Sequence, residues 1–231
     1  MKKVGFYFLL FLGIASFGQI QPNQSGSLNE LSFYVNTNTR NYEDVTGSKY
    51  IFDDFKPAKI KGFKGVHEVR FDVVDNSIEF KNNDGSILFL SKNQPYVIEF
   101  IGDTLKRIFE IHKFLKPNKK IETTFFEKRF DTEKYILYKR YRIKYEPEKP
   151  AKSSYEKKVE AKFTRLEDAY YLNNPLKSTD YLIEIPRKKK PFYAFFAPRQ
   201  AAIKTFVKKN GINPNIEKDV LKTLEYYFNT N

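Results

Sequence analysis

Lys134-Tyr135-Ile136-Leu137-Tyr138-Lys139-Arg140-Tyr141-Arg142-Ile143-Lys144-Tyr145 carries the clearest period of two in the chain. The odd positions are Tyr135, Leu137, Lys139, Tyr141, Ile143 and Tyr145; the even positions include Lys134, Arg140, Arg142 and Lys144. Alternation of this kind predicts one β-strand, apolar towards a core and largely cationic on its other face. Residues 121–130 read as its antiparallel partner through the polar turn 131–133. Pro147 and Pro150 end the strand in a polar loop over 146–158.

The same period extends upstream. A two-residue turn at Asp75-Asn76 would pair Val73 with Ile78 and Phe71 with Phe80. A turn at Gly102-Asp103 would pair Phe100 with Leu105 and Tyr96 with Phe109, leaving Glu99 opposite Lys106. Downstream, 159–165 and 169–172 read as a third hairpin, followed by a strand over 181–185. After Pro186 the period becomes helical. Ala202, Ile203, Phe206 and Val207 share one face, Pro198 suits a first turn, and Asn210-Gly211 ends the helix. Asn213-Pro214 starts a second helix, with Glu217 and Asp219 early and Val220, Leu221, Leu224, Tyr227 and Phe228 on the inner face. The expected fold is α+β: an antiparallel sheet of about seven to nine strands with a short C-terminal helical hairpin.

Composition supports a packed core: of 231 residues, 41% are hydrophobic, with 16 Tyr and 23 Phe. The absence of Cys excludes disulfide and thiol chemistry, and 2 His give little material for a zinc site, so neither metal nor cofactor is expected. Lys2 and Lys3 precede an apolar run over 4–17, shorter than the ~20 residues a spanning helix needs. Ser16 and Gly18 fit a small-x-small cleavage signature. The expected organisation is a signal peptide over 1–18, a polar tether over 19–47 holding one short strand near 31–35, a β domain over 48–185 and a helical hairpin over 186–231. Export would place the protein in the periplasm or at the outer membrane.

Charge is uneven. Residues 19–115 carry 12 basic and 13 acidic side chains, and 116–231 carry 27 and 15. For an exported chain nucleic acid is set aside, which leaves an anionic envelope lipid, a glycan or an envelope protein as partner. The candidate contacts are Arg140, Arg142 and Lys144 on the decisive strand, and the run Arg187, Lys188, Lys189 and Lys190.

No G-x-S-x-G, H-E-x-x-H or Gly-rich phosphate loop is present. The turn at Asp75-Asn76 sets Asp72 across from Glu79 on the face away from the core, where two carboxylates could share a proton or hold a divalent cation. Arg70 and Lys81 on that face offer a structural account of the same pair. His67 and His112 have no neighbour in sequence that marks an acid/base pair. Asp103-Thr104-Leu105 resembles the Asp-Ser/Thr-hydrophobic sequon of O-glycosylated exported Bacteroidetes proteins.

Leu137-Tyr138-Lys139-Arg140-Tyr141-Arg142, the loop from Lys149-Pro150 to Tyr155, Phe206-Val207-Lys208-Lys209-Asn210 with Leu224-Glu225-Tyr226-Tyr227, and Gly47-Ser48-Lys49-Tyr50-Ile51-Phe52 are distinctive together. In this combination the chain resembles a group of uncharacterised exported proteins of Bacteroidetes, over about 47–228. The resemblance implies export and the extent of the folded region, and it transfers no catalytic residue. The expectation is an exported, non-enzymatic protein that binds an envelope component through a basic β-surface. A carboxylate-dependent periplasmic hydrolase and a structural subunit of an envelope complex are the alternatives.

Overall fold

A computed structural model describes residues 33–34, 42, 44–92, 94–102, 106–116, 118–151, 153, 155–173 and 180–229. The leader with its cleavage site, most of the tether and the Asp103-Thr104-Leu105 sequon lie outside the described residues.

In chain order the strands are β1 (Phe33–Tyr34), β2 (Lys56–Ile60), β3 (His67–Asp72), β4 (Ser77–Lys81), β5 (Ile87–Leu90), β6 (Val97–Phe100), β7 (Arg107–Leu115), β8 (Ile121–Asp131), β9 (Ile136–Arg140), β10 (Ile143–Glu146), β11 (Lys162–Arg165), β12 (Ala169–Asn173) and β13 (Ile183–Glu184). Three helices follow: α1 (Lys189–Phe195), α2 (Gln200–Lys209) and α3 (Glu217–Asn229). Eleven strands form one antiparallel sheet in the order β1-β5-β4-β3-β2-β6-β7-β8-β9-β12-β13, and β10 and β11 form a separate ribbon. The fold is therefore α+β, with a mostly antiparallel sheet and helices at the C-terminus. It has more and shorter strands than the sequence pattern suggests.

The sheet curls back on itself at one end. Its far edge returns to β7 through a parallel bridge between Phe114 and Leu182, with Leu182 N–H donating to Lys113 O at 2.8 Å. That contact closes β7, β8, β9, β12 and β13 into a small barrel. Its interior takes Phe114 of β7, Phe126 of β8, Tyr138 of β9, Ala169 and Tyr171 of β12, and Leu182 just before β13. The rings meet edge to face, Phe126 on Tyr171 at 4.9 Å and Phe114 on Tyr171 at 5.6 Å, the geometry the ring quadrupoles favour. Alternation along β7 and β8 sends the odd residues Phe109 and Phe125 the other way, into a larger core with Phe71, Phe80, Ile98, Phe100 and Tyr141. The wall β7–β8 thus buries aromatic rings on both faces.

The helices cover the outside of the barrel, packing Phe192, Phe196, Ile203, Val207, Val220 and Leu224 on Tyr135, Leu137, Tyr170 and Leu172. Helix α2 ends as expected. Gly211 at φ 62° adopts the left-handed conformation, and Ile212 N–H reaches back to Val207 O at 3.1 Å. A β-bulge between Lys128 and Phe130 frees Arg129 to join sheet and helices, pairing with buried Glu127 at 2.7 Å and with Glu217 of α3 at 2.9 Å.

Four expectations are corrected. First, β3 and β4 pair Phe71 with Ile78 and Arg70 with Glu79, two residues off the expected register. The connection spans residues 73–76 because the Asp72 carboxylate accepts hydrogen bonds from the N–H groups of Val74 and Asp75, both at 3.0 Å. Second, β6 pairs Ile98, not Tyr96, with Phe109, again two residues off. Third, 134–145 is not one strand. It breaks at Tyr141-Arg142, so β10 leaves the sheet to pair with β11, and β12 pairs with β9 rather than with 159–165. Fourth, the helical part has three helices, the first beginning within the Lys188-Lys189-Lys190 run; Pro198 precedes the α2 cap at Arg199, and α3 begins at Glu217 rather than at Asn213-Pro214, whose residues form a turn before it.

Candidate functional site

Asp72 and Glu79 are buried, 1% and 4% exposed, but they are diagonal rather than opposite. Arg70 faces Glu79 and donates to its Oε2 from Nη2 at 2.6 Å and from Nε at 3.1 Å. The Tyr50 hydroxyl donates to Glu79 Oε1 at 3.1 Å. Lys49, which nothing in the sequence pattern marks, pairs with Asp72 at 2.6 Å. Lys81 lies outside this group and pairs with Glu68 on the surface at 3.5 Å. Residues 44–55 strap over this face, with Val73 N–H donating to Lys49 O and Ile51 N–H to Phe71 O. The two carboxylates are therefore saturated by cations and by a phenol. Among the described residues no group of three or more His, Asp or Glu could hold a metal ion.

A second polar group lies at one end of the barrel interior. Glu110 Oε2 accepts from the Tyr138 hydroxyl at 2.7 Å and meets His112 Nε2 at 3.0 Å, while Oε1 pairs with Lys128 at 2.8 Å. Glu110, two residues earlier on the same strand face, is the partner of His112. Burial alone would raise the Glu110 pKa, but hydrogen bonds from His112, Lys128 and Tyr138 draw it down to about 2. Burial and Glu110 together push the Tyr138 phenol well up. A carboxylate held below its ordinary 4.5 stabilises the fold above that pH and loses the contribution as the pH falls from 4.5 through about 2. The expected size is ~1–2 kcal/mol, after discounting for solvent that reaches His112 and Lys128. Urea midpoints of the wild type and Glu110→Gln, measured from pH 6 to pH 2.5, are expected to converge towards acid. A constant gap would show that this carboxylate does not titrate as described.

The candidate cations are not brought together. Arg140 ends β9 and stacks on the Phe114 ring at 4.6 Å. Arg142 is half-buried at the strand break. Lys144 belongs to the ribbon and pairs with Glu146 at 3.4 Å. The break at Tyr141-Arg142 divides what reads in sequence as one cationic face. Arg187 pairs with Glu167 at 3.3 Å.

Several cations of the β part are matched in the same way: Lys139 and Arg165 share Asp168, each at 2.9 Å, and Lys116 pairs with Glu122 at 2.8 Å, while Lys59, Lys61, Lys64, Lys119 and Lys120 are exposed with no carboxylate partner among the described residues. Lys188, Lys189 and Lys190 are exposed and have no carboxylate partner among the described residues, and the same holds for Lys204, Lys208 and Lys209 of α2. Residues 186–231 hold 10 basic and 3 acidic side chains, against 29 and 25 in 19–185. Two of those three acids are engaged, Glu217 with Arg129 and Asp219 with the N–H of Asn213. Residues 186–231 thus carry +7 and 19–185 carry +4, so the larger share of the positive excess falls in the shorter, helical part, a distribution hidden when the chain is simply halved.

No protein-family model, curated protein or solved structure matches the chain.

Proposed function

We propose that this chain is an exported, non-enzymatic binding protein whose helical part, led by Lys188, Lys189 and Lys190, contacts an anionic component of the envelope. The observation that carries this reading is the charge of residues 186–231, 10 basic against 3 acidic side chains, where 19–185 hold 29 against 25. Solvated, unpaired lysines on a firm platform suit phosphate-bearing surfaces, to which each contributes about 1 kcal/mol. The export part rests on the leader-like residues 1–18 and on the resemblance to exported Bacteroidetes proteins. A hydrolase built on Asp72 and Glu79 is disfavoured, since both carboxylates are occupied by Lys49, Arg70 and Tyr50.

The test is co-sedimentation with vesicles of phosphatidylglycerol and phosphatidylcholine, and separately with lipopolysaccharide. Lys188→Glu/Lys189→Glu/Lys190→Glu is expected to weaken binding about 100-fold at 0.1 M salt, whereas Lys144→Glu changes it little. Equal affinities for the wild type and the triple variant would remove the helical lysines as the contact. Capture of a salt-resistant envelope protein instead would favour the structural-subunit reading.

A further inference from the structure

The β10–β11 ribbon stands apart from the eleven-stranded sheet and is built as an arm. Its base is held by the Tyr42 ring, which meets Tyr145 and Phe163 edge to face, each at 5.0 Å, and by the bridge from Thr46 to Lys162. Beyond Glu146 the pairing resumes at Lys149 and Val159, whose backbones exchange hydrogen bonds at 2.9 and 3.0 Å, and a loop over 150–158 closes the tip. Every described residue of 147–160 is exposed. Tyr155 in the tip is 98% exposed, whereas the next most exposed large apolar side chain of the described residues is Val66 at 55%. The Tyr155 ring makes no hydrogen bond or ring contact with another described residue, so the fold gains nothing from it.

Charge divides along the arm. On the shaft, Glu146 takes Lys144 at 3.4 Å and Lys162 at 3.5 Å, and Glu148 takes Lys158 at 2.8 Å. Lys149 and Lys157, on either side of Tyr155 in the chain, are exposed with no carboxylate partner among the described residues. Residues 149–158 hold 4 basic side chains and 1 acidic. A protruding tip is convex, whereas small-molecule sites are concave and close over most of the ligand, so the partner must offer a surface. The pairing of a single projecting tyrosine with unpaired lysines matches one surface in both respects. Tyrosine is enriched at the headgroup level of bilayers, where its ring meets apolar matter and its hydroxyl stays wet. Lysines beside it meet the phosphates of anionic lipids, their stems along the apolar boundary and their ammonium groups in water. Pro150, Ala151 and Val159, all exposed, add apolar area to the same tip.

We propose that the tip of this arm docks on the interface of an anionic phospholipid bilayer, with Tyr155 entering at headgroup level and Lys149 and Lys157 pairing with lipid phosphates. This goes beyond the helical contact proposed above, since it is a second surface and it names a bilayer as the partner. The chain has no Trp, so Tyr155→Trp in the full chain places a single reporter at the tip. With vesicles of phosphatidylglycerol and phosphatidylcholine its emission is expected to shift to the blue, and lipids brominated near the headgroup should quench it more than lipids brominated deep in the acyl chain. Vesicles of phosphatidylcholine alone are expected to leave the emission unchanged. In the same background, Lys149→Glu/Lys157→Glu should raise the lipid concentration at half-shift by about ten-fold or more. An unchanged emission while the protein co-sediments with the anionic vesicles would overturn the proposal and leave the helical contact standing. An equal shift on phosphatidylcholine alone, or one that Lys149→Glu/Lys157→Glu does not move, would overturn it because the lysines would then play no part. A shift produced by envelope proteins and not by vesicles would assign the ring to a protein pocket, and would overturn it as well.

Discussion

Glu79→Gln is expected to lower the unfolding free energy by ~3 kcal/mol, read as a shift of the urea midpoint without a change of slope. Glutamine keeps an acceptor for the Tyr50 hydroxyl, but it leaves the Arg70 guanidinium, bound through both Nη2 and Nε, without its counter-charge. Lys49, 3.9 Å from Glu79, loses its second carboxylate in the same step. Asp72→Asn should cost less, ~1–2 kcal/mol, since an asparagine oxygen still accepts from the N–H groups of Val74 and Asp75 and only the Lys49 pair is lost. The order of the two losses is the informative result. Were the pair a catalytic dyad, one member would gain a proton on approach of the other and its amide would be tolerated or even stabilising. A Glu79→Gln chain as stable as the wild type would therefore remove the clamp described here. The loss should also loosen the strap over 44–55, which reaches the ribbon through Thr46 N–H to Ala161 O and Phe163 N–H to Thr46 O. Amide exchange at Lys49 and Tyr50 would report it.

Which face of each strand is buried can be read from a period of two; which residue it opposes cannot. Both misjudged hairpins slipped by two residues, so Phe71, Ile78, Phe80, Phe100 and Phe109 still point into the core although their partners differ. The slip at β3–β4 came from a side chain, Asp72, which bonds the turn and lengthens it, and such Asx contacts carry weak sequence signals. Residues 134–145 misled for another reason. Tyrosine suits either environment, so the pattern did not show that Tyr138 enters the barrel while Tyr141 enters the larger core beyond it. With both faces buried, β9 has no solvated cationic side, and Arg140 stacks on Phe114. The helices were more legible because Ile203, Val207, Val220 and Leu224 repeat at 3.6 and Gly211 marks an end. Charge was legible only as a sum. Arg129 with Glu217 and Lys139 with Asp168 are joined by folding across long stretches of chain, which no sum over the sequence shows.

Phe196→Ala is expected to cost ~3–5 kcal/mol and to do so in one cooperative transition. Phe196 is 1% exposed, in contact with Phe192 at 5.2 Å, Phe195 at 5.2 Å and Tyr227 at 5.1 Å, in the same core as Tyr135, Leu137, Tyr170 and Leu172. Since helices and barrel share that core, the cavity left by the ring weakens both. Far-UV circular dichroism at the helical band and tyrosine fluorescence, in a chain with no Trp, should give coincident urea curves for the wild type and the variant. Loss of the helical signal ahead of the other would mean that residues 186–229 are held only loosely by the sheet. The distinction bears on the proposed contact. Lysines on a helix that melts independently would bind an anionic surface as a flexible basic tail, insensitive to packing. Lysines fixed through Phe192 and Phe196 to the barrel would bind as a rigid platform, and Phe196→Ala would then weaken vesicle binding in proportion to the fraction of helices undocked, with no charge altered.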